Sequence, residues 1–169
     1  MTDPFVVRDA NGLSDARRAF LQAVESGEGH LEIELPARCL GIDEVTPDLE
    51  LVTEDARAPA PIDVTLRSRA GLCVLTGLGV RIAARSVRLE GVAVVAAPGG
   101  SAIDVTAEHS LRLRDVIVLG TPAPVARSTP VALRAAGSTG TTAAVESSVI
   151  AGTPASGRDR GFTRSGCTA

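Results

Sequence analysis

Two successive stretches of the chain, 78–100 (LGVRIAARSVRLEGVAVVAAPGG) and 101–120 (SAIDVTAEHSLRLRDVIVLG), carry the same apolar pattern. Val80 and Ile82 align with Ile103 and Val105 at an offset of 23 residues, and Val87, Leu89, Val92 and Val94 align with Leu111, Leu113, Val116 and Val118 at an offset of 24. Within each short segment apolar residues alternate with others, the period of a strand whose successive side chains face opposite sides. Three short strands recurring every 23 or 24 residues are the signature of a solenoid, in which each coil lies on the coil before it.

Such a solenoid needs narrow stacks of aliphatic side chains, and the composition supplies them. Apolar residues make up 44% of the chain and aromatics only 2%, namely Phe5, Phe20 and Phe162. All 17 cations are arginine and the net charge is −3, so no general attraction to nucleic acid or to an anionic membrane is expected. No apolar run approaches the roughly 20 residues of a membrane span. The opening MTDPFVVRDANG has neither a basic n-region nor an apolar h-region, so no secretory signal is expected. Cys39, Cys73 and Cys167 are odd in number and lack metal-ligand spacing. Cys39 and Cys73, in apolar surroundings, are expected to be buried free thiols in a reducing cytoplasm. No cofactor is implied.

Taken in order, Phe5-Val6-Val7 reads as a first strand and Asn11-Gly12 as a turn. Ser14 is the expected N-cap of an amphipathic helix over 14–26, with Leu13, Ala16, Phe20, Ala23 and Val24 at helical spacing and Gly27 as the stop. Its expected role is to cap the first coil, whose backbone and core are otherwise open. In HLEIELPA, Leu31, Ile33 and Leu35 then alternate with charged residues.

This order of helix, glycine turn, alternating strand and Leu-Pro-Ala, in SDARRAFLQAVESGEGHLEIELPA, resembles the opening of right-handed parallel β-helix proteins of the pectate-lyase-like superfamily. Asp15, Ala19, Ala23, Gly27, Gly29 and Leu35-Pro36-Ala37 stand in the matching places, and Arg38 replaces the usual glycine. The resemblance covers roughly residues 5–152. It implies an all-β chain: a single-stranded right-handed parallel β-helix of about four to five coils, occupying residues 1–152 with one N-terminal capping helix, followed by a flexible tail over 153–169.

Residues 40–51 resemble 78–89 at an offset of 38, whereas Val64 and Leu66 fall one coil before Val87 and Leu89; residues 52–61 are then a loop. The proline-rich segment TPAPVARSTP after Gly120 reads as a loop between faces. The pattern resumes at Val131 and Leu133 and again at Ala143, Val145, Val149 and Ile150, with a turn over 136–140.

The same register predicts columns of charge on the outward face, spaced at about 4.8 Å. Arg67, Glu90, Arg114 and Glu146 form one column of alternating sign, and Arg81 with Asp104 and Arg85 with Glu108 form pairs. Arg88 over Arg112 breaks the rule. A structural role on a solvated face is the simplest reading.

Glycan-cleaving β-helix enzymes use carboxylate clusters, and here Asp104 with Glu108, and Asp115, are the candidates. Facing arginines would keep Asp104 and Glu108 ionised, and aromatic rings to hold a sugar are scarce. Glu108-His109-Ser110 has the residues of a triad, yet consecutive strand residues should point to opposite faces. The acidic run Asp43, Glu44, Asp48, Glu50, Glu54 and Asp55 lacks the spacing of a calcium loop. No catalytic or metal-binding residue is assigned.

The tail offers Arg158, Arg160, Phe162, Arg164 and Cys167 as docking residues. Three functions remain open: a non-catalytic scaffold or protein-interaction module, a carrier whose tail is docked on or modified by a partner enzyme, and a relative of polysaccharide lyases or hydrolases. The expected partner is a protein or a second copy meeting the C-terminal end of the solenoid, where few apolar residues follow Ile150.

Overall fold

The computed structural model describes residues 3–41, 48–53, 58–97, 102–119, 133–137 and 139–151. The elements run β1 (Phe5–Val6), α1 (Asn11–Glu25), β2 (His30–Leu35), β3 (Cys39–Leu40), β4 (Leu49–Leu51), β5 (Ala60–Ser68), β6 (Cys73–Thr76), β7 (Val80–Glu90), β8 (Val92–Val95), β9 (Ile103–Arg114), β10 (Ile117–Leu119), β11 (Leu133–Gly137), β12 (Thr142–Glu146) and β13 (Val149–Ala151). The chain is mostly β, and every strand pairing among these elements is parallel.

Two sheets form. One has the order β1-β2-β5-β7-β9-β11, with β4 on β7 and β12 on β9; the other has the order β3-β6-β8-β10-β13. Parallel neighbours cannot be joined by a tight turn. Here the connection between successive strands of one sheet includes a strand of the other: β6 lies between β5 and β7, β8 between β7 and β9.

The alternation in the sequence sets what is buried. Ile33, Leu66, Leu89 and Leu113 are register partners on successive strands and all are buried. In the second sheet Leu40, Leu75, Val94 and Val118 do the same. No polar or charged side chain is buried among the described residues, and Phe20 is the one fully buried ring there. The expected pairs Leu89–Leu113 and Ile82–Val105 are both direct register partners, as are Val64–Val87 and Leu66–Leu89.

The early register differs from expectation. Leu49 and Leu51 pair with Val80 and Ile82, an offset of 31 rather than 38. The long strand β7 takes two partners end to end, β4 along its start and β5 along its remainder. β9 does likewise with β11 and β12.

Helix α1 also begins earlier than expected. Asn11 and Gly12 lie in its first turn, and no side chain caps the Ala10 position. Ser14 is therefore inside the helix; Asp9 Oδ1, one turn upstream, accepts the Gly12 N–H at 3.0 Å and supplies the acceptor that an exposed first turn needs. The stop is as read: Gly27 has φ +72°, its N–H reaches Val24 O, and Glu28 N–H reaches Ala23 O, the paired bonds of a glycine-terminated helix. Leu13, Ala16, Phe20 and Ala23 are buried, and α1 packs against β1, β2, β4 and β5.

Two features break the regular pattern. At one corner the residues after register partners Glu90, Arg114 and Glu146, namely Gly91, Asp115 and Ser147, all have positive φ, 64°, 52° and 47°. At mid-strand, Ala84 pairs with Ala107 but Ser86 with Ser110, so Glu108 and His109 together oppose Arg85. This bulge is the physical origin of the change from 23 to 24 in the repeat.

Candidate functional site

The register places Arg67 beside Glu90, Glu90 beside Arg114 and Arg114 beside Glu146. The ion pairs follow this column only at Glu90 and Arg114. Arg67 bonds Glu32; Arg69 bonds Glu32 and Glu34, each at 3.0 Å; Arg88 bonds Glu90 at 2.5 Å. Arg114 lies 3.8 Å from Glu90 and 3.7 Å from Asp115. Arg81 and Asp104 are register partners without an ion pair between them. Exposed pairs of this kind contribute little singly.

Arg85 was expected opposite Glu108. Its guanidinium instead grips Asp63 on β5, and Nη2 also donates to Gly29 O at 3.1 Å. The ladder is irregular on both sides of Arg85: Pro61 and Ile62 of β5, like Glu108 and His109 of β9, share the place opposite it. Hydrogen bonding from Arg85, followed by its charge, holds the Asp63 carboxyl below its ordinary value against the opposing effect of burial.

The bulge in β9 corrects the expectation for Glu108 and His109. Both are exposed, and Glu108 Oε2 lies 3.9 Å from His109 Nδ1, because alternation fails where one residue is inserted. Ser110 sits in the next regular position, beside Ser86. Asp115 occupies the positive-φ corner, where it borders a shallow depression of about 410 Å³ with Arg69, Leu72, Glu90, Gly91 and Arg114. The charged groups of that depression already pair with one another or with Glu32 and Glu34.

The thiols divide. Cys73 is buried, and burial pushes its thiol up to about 12. Cys39 was expected to be buried but is exposed, 3.4 Å from Thr76 Oγ1. In the two-residue strand β3 it is Leu40 that faces the core. Of the acidic run, Asp48 accepts the Gly79 N–H at 2.6 Å and Glu50 pairs with Arg17 at 3.5 Å; Asp43, Glu44, Glu54 and Asp55 lie outside the described residues. Among the described residues no group of three or more His, Cys, Asp or Glu side chains is placed to hold a metal, and no helix is long and apolar enough to cross a membrane.

Sequence reasoning expected an open apolar end after Ile150, and exposed aliphatic side chains lie there. In the first sheet the stack Ile33–Leu66–Leu89–Leu113 continues to Val145, which is 45% exposed, whereas Leu113 is 1% exposed. In the second, Val118 is fully buried and its partner Ile150 is 43% exposed, beside Val149 at 57%. The last rung therefore presents inward-facing aliphatic positions to solvent. The tail residues Arg158, Arg160, Phe162, Arg164 and Cys167 lie outside the described residues.

No protein-family model matches the chain, and neither a curated protein nor a solved structure matches it.

Proposed function

We propose that the two parallel sheets are faces of a single-stranded right-handed parallel β-helix, akin to the pectate-lyase-like superfamily, that serves as a non-catalytic scaffold with its C-terminal end as the interaction surface. The alternation of strands between two parallel sheets in chain order supports the coil, and right-handedness follows the strong preference of parallel crossovers. The observation that carries the functional reading is the exposure of Val145 and Ile150 at the end of stacks buried everywhere upstream. Apolar exposure concentrated in one place marks an association surface.

Against glycan cleavage stands the state of the carboxylates. Of the three candidate carboxylates Asp115 lies 3.7 Å from Arg114, and among the other acids Glu32, Glu34, Glu50, Asp63 and Glu90 are engaged by arginines; an acid catalyst needs a carboxyl held protonated, the reverse of the effect on Asp63. The test is a turnover assay on acidic polysaccharides, with and without calcium. The expected result is no release of unsaturated or reducing ends. Release that disappears in Asp104→Ala, Glu108→Ala or Asp115→Ala overturns the reading.

A further inference from the structure

We infer that the occupant of the C-terminal end is a second copy of this chain, joined end to end about a two-fold axis through antiparallel pairing of β12 with its counterpart. This deepens the scaffold reading and rests on it.

The first argument is the asymmetry of the two ends. At the N-terminal side α1 packs over β1, β2, β4 and β5, Ile33 is fully buried and Leu40 is 4% exposed. Head-to-tail stacking would have to displace that helix. At the other end β1 keeps a free edge with one exposed apolar side chain, Val6, whereas Val145, Val149 and Ile150 are exposed together on the last strands, and an open end of this kind closes on itself only through an isologous contact.

The second argument is chemical. Natural edge strands are protected by charges, prolines or bulges. β12 and β13, TAAVE and VIA, hold one charge between them, Glu146, and no proline. Antiparallel self-pairing of β12 about Ala144 sets Ala143 against Val145 and Thr142 against Glu146. The hydroxyl therefore meets the carboxylate, and the two Glu146 side chains stay apart. A perpendicular axis keeps inward residues inward, so the exposed Val145 at the end of one aliphatic stack meets the copy's Ala143 at the end of the neighbouring stack. Arg112, exposed beside the small Ala144 and free of any ion pair among the described residues, becomes the nearest cation of the outer face to the copy's Glu146.

The experiment uses the full-length chain. Sedimentation should give twice the 17.2 kDa monomer mass, and Val145→Lys with Ile150→Lys should give a monomer. Because that variant removes apolar surface, a second measurement does not depend on it. In a Cys39→Ser, Cys167→Ser background, exposed Ala144→Cys lies on the axis opposite itself. Directly opposed strand residues have Cα atoms about 4.5–5.5 Å apart, within disulfide range. Oxidised glutathione should then link Ala144→Cys chains into covalent dimers, and leave Val6→Cys chains, altered at the other end, unlinked. Dimers of that kind support the inference. Species growing beyond the dimer, or linkage between Val6→Cys and Ala144→Cys chains when mixed, mean head-to-tail contact and overturn it. A monomer at every concentration overturns it too, leaving the end to the chain's own residues or to another protein. The polysaccharide assay judges the scaffold reading separately in each case.

Discussion

Arg85 on β7 holds Asp63 on β5 through two hydrogen bonds of 2.8 Å, Nε to Oδ1 and Nη2 to Oδ2. This fork locks two adjacent strands at the site where the repeat changes length. A carboxyl held below its ordinary value of 3.8 contributes stability that is present above that pH and is lost as pH falls through the lower folded-state value. Melting temperature followed from about pH 5 to pH 2 should fall more steeply for the native chain than for Asp63→Asn, and the two curves should converge at the acid end.

The stacks predict a sharp contrast between positions of the same chemistry. Leu89 is fully buried between Leu66 and Leu113, and Leu89→Ala should cost roughly 2–5 kcal/mol in denaturant unfolding. Val145 ends the same stack half-exposed. At protein concentrations low enough for the chain to be monomeric, Val145→Ala should change stability by less than about 0.5 kcal/mol. Equal costs at the two positions would mean that the last rung is covered even in the monomer.

The corner column gives opposite signs for similar changes. Gly91 has φ +64°, and a Cβ there would lie 3.1 Å from the carbonyl oxygens of both Ser68 and Gly71. Gly91→Ala should therefore cost more than about 1 kcal/mol. Asp115 already bears side-chain strain at φ 52°. Asp115→Gly should leave stability unchanged or raise it by up to about 1 kcal/mol, relief of strain offsetting the entropy of glycine. Thermal unfolding of the two variants side by side is the check.

For the thiols, the expected order of alkylation in the native chain is Cys39 well before Cys73. The thiolate is the reactive form, and Cys73 combines burial with a thiol pushed up to about 12. Peptide mapping after brief treatment should find Cys39 modified and Cys73 untouched until the chain unfolds. The elevated Cys73 value also stabilises the fold below the ordinary thiol value of 9.0, a contribution lost as pH rises from there toward about 12.

The central register was legible in the sequence because each half of β7 and β9, 80–82 with 103–105 and 87–89 with 111–113, alternates apolar and other residues, so a slip of one residue would turn that set outward. The jump from 23 to 24 was visible too, but not its meaning as a bulge, and with that meaning went the placement of Glu108 beside His109. β4 was misplaced because β7 accepts two short partners, which no single repeat offset describes. Cys39 was misjudged because a two-residue strand carries too little alternation to set its parity. Ser14 was chosen over the true start of α1 because Asn11-Gly12 reads locally as a turn, whereas the Asp9 carboxylate makes it helical.

In both sheets the order of strands in space follows their order along the chain, apart from the paired halves on β7 and β9. The ribosome therefore delivers each rung when the surface that receives it has already emerged. The helix and first strands come first, and every later strand finds a finished edge about one repeat behind it, without threading past chain not yet made. Translation and assembly share one direction, and the last surface to be completed is the one on which Val145, Val149 and Ile150 stay exposed.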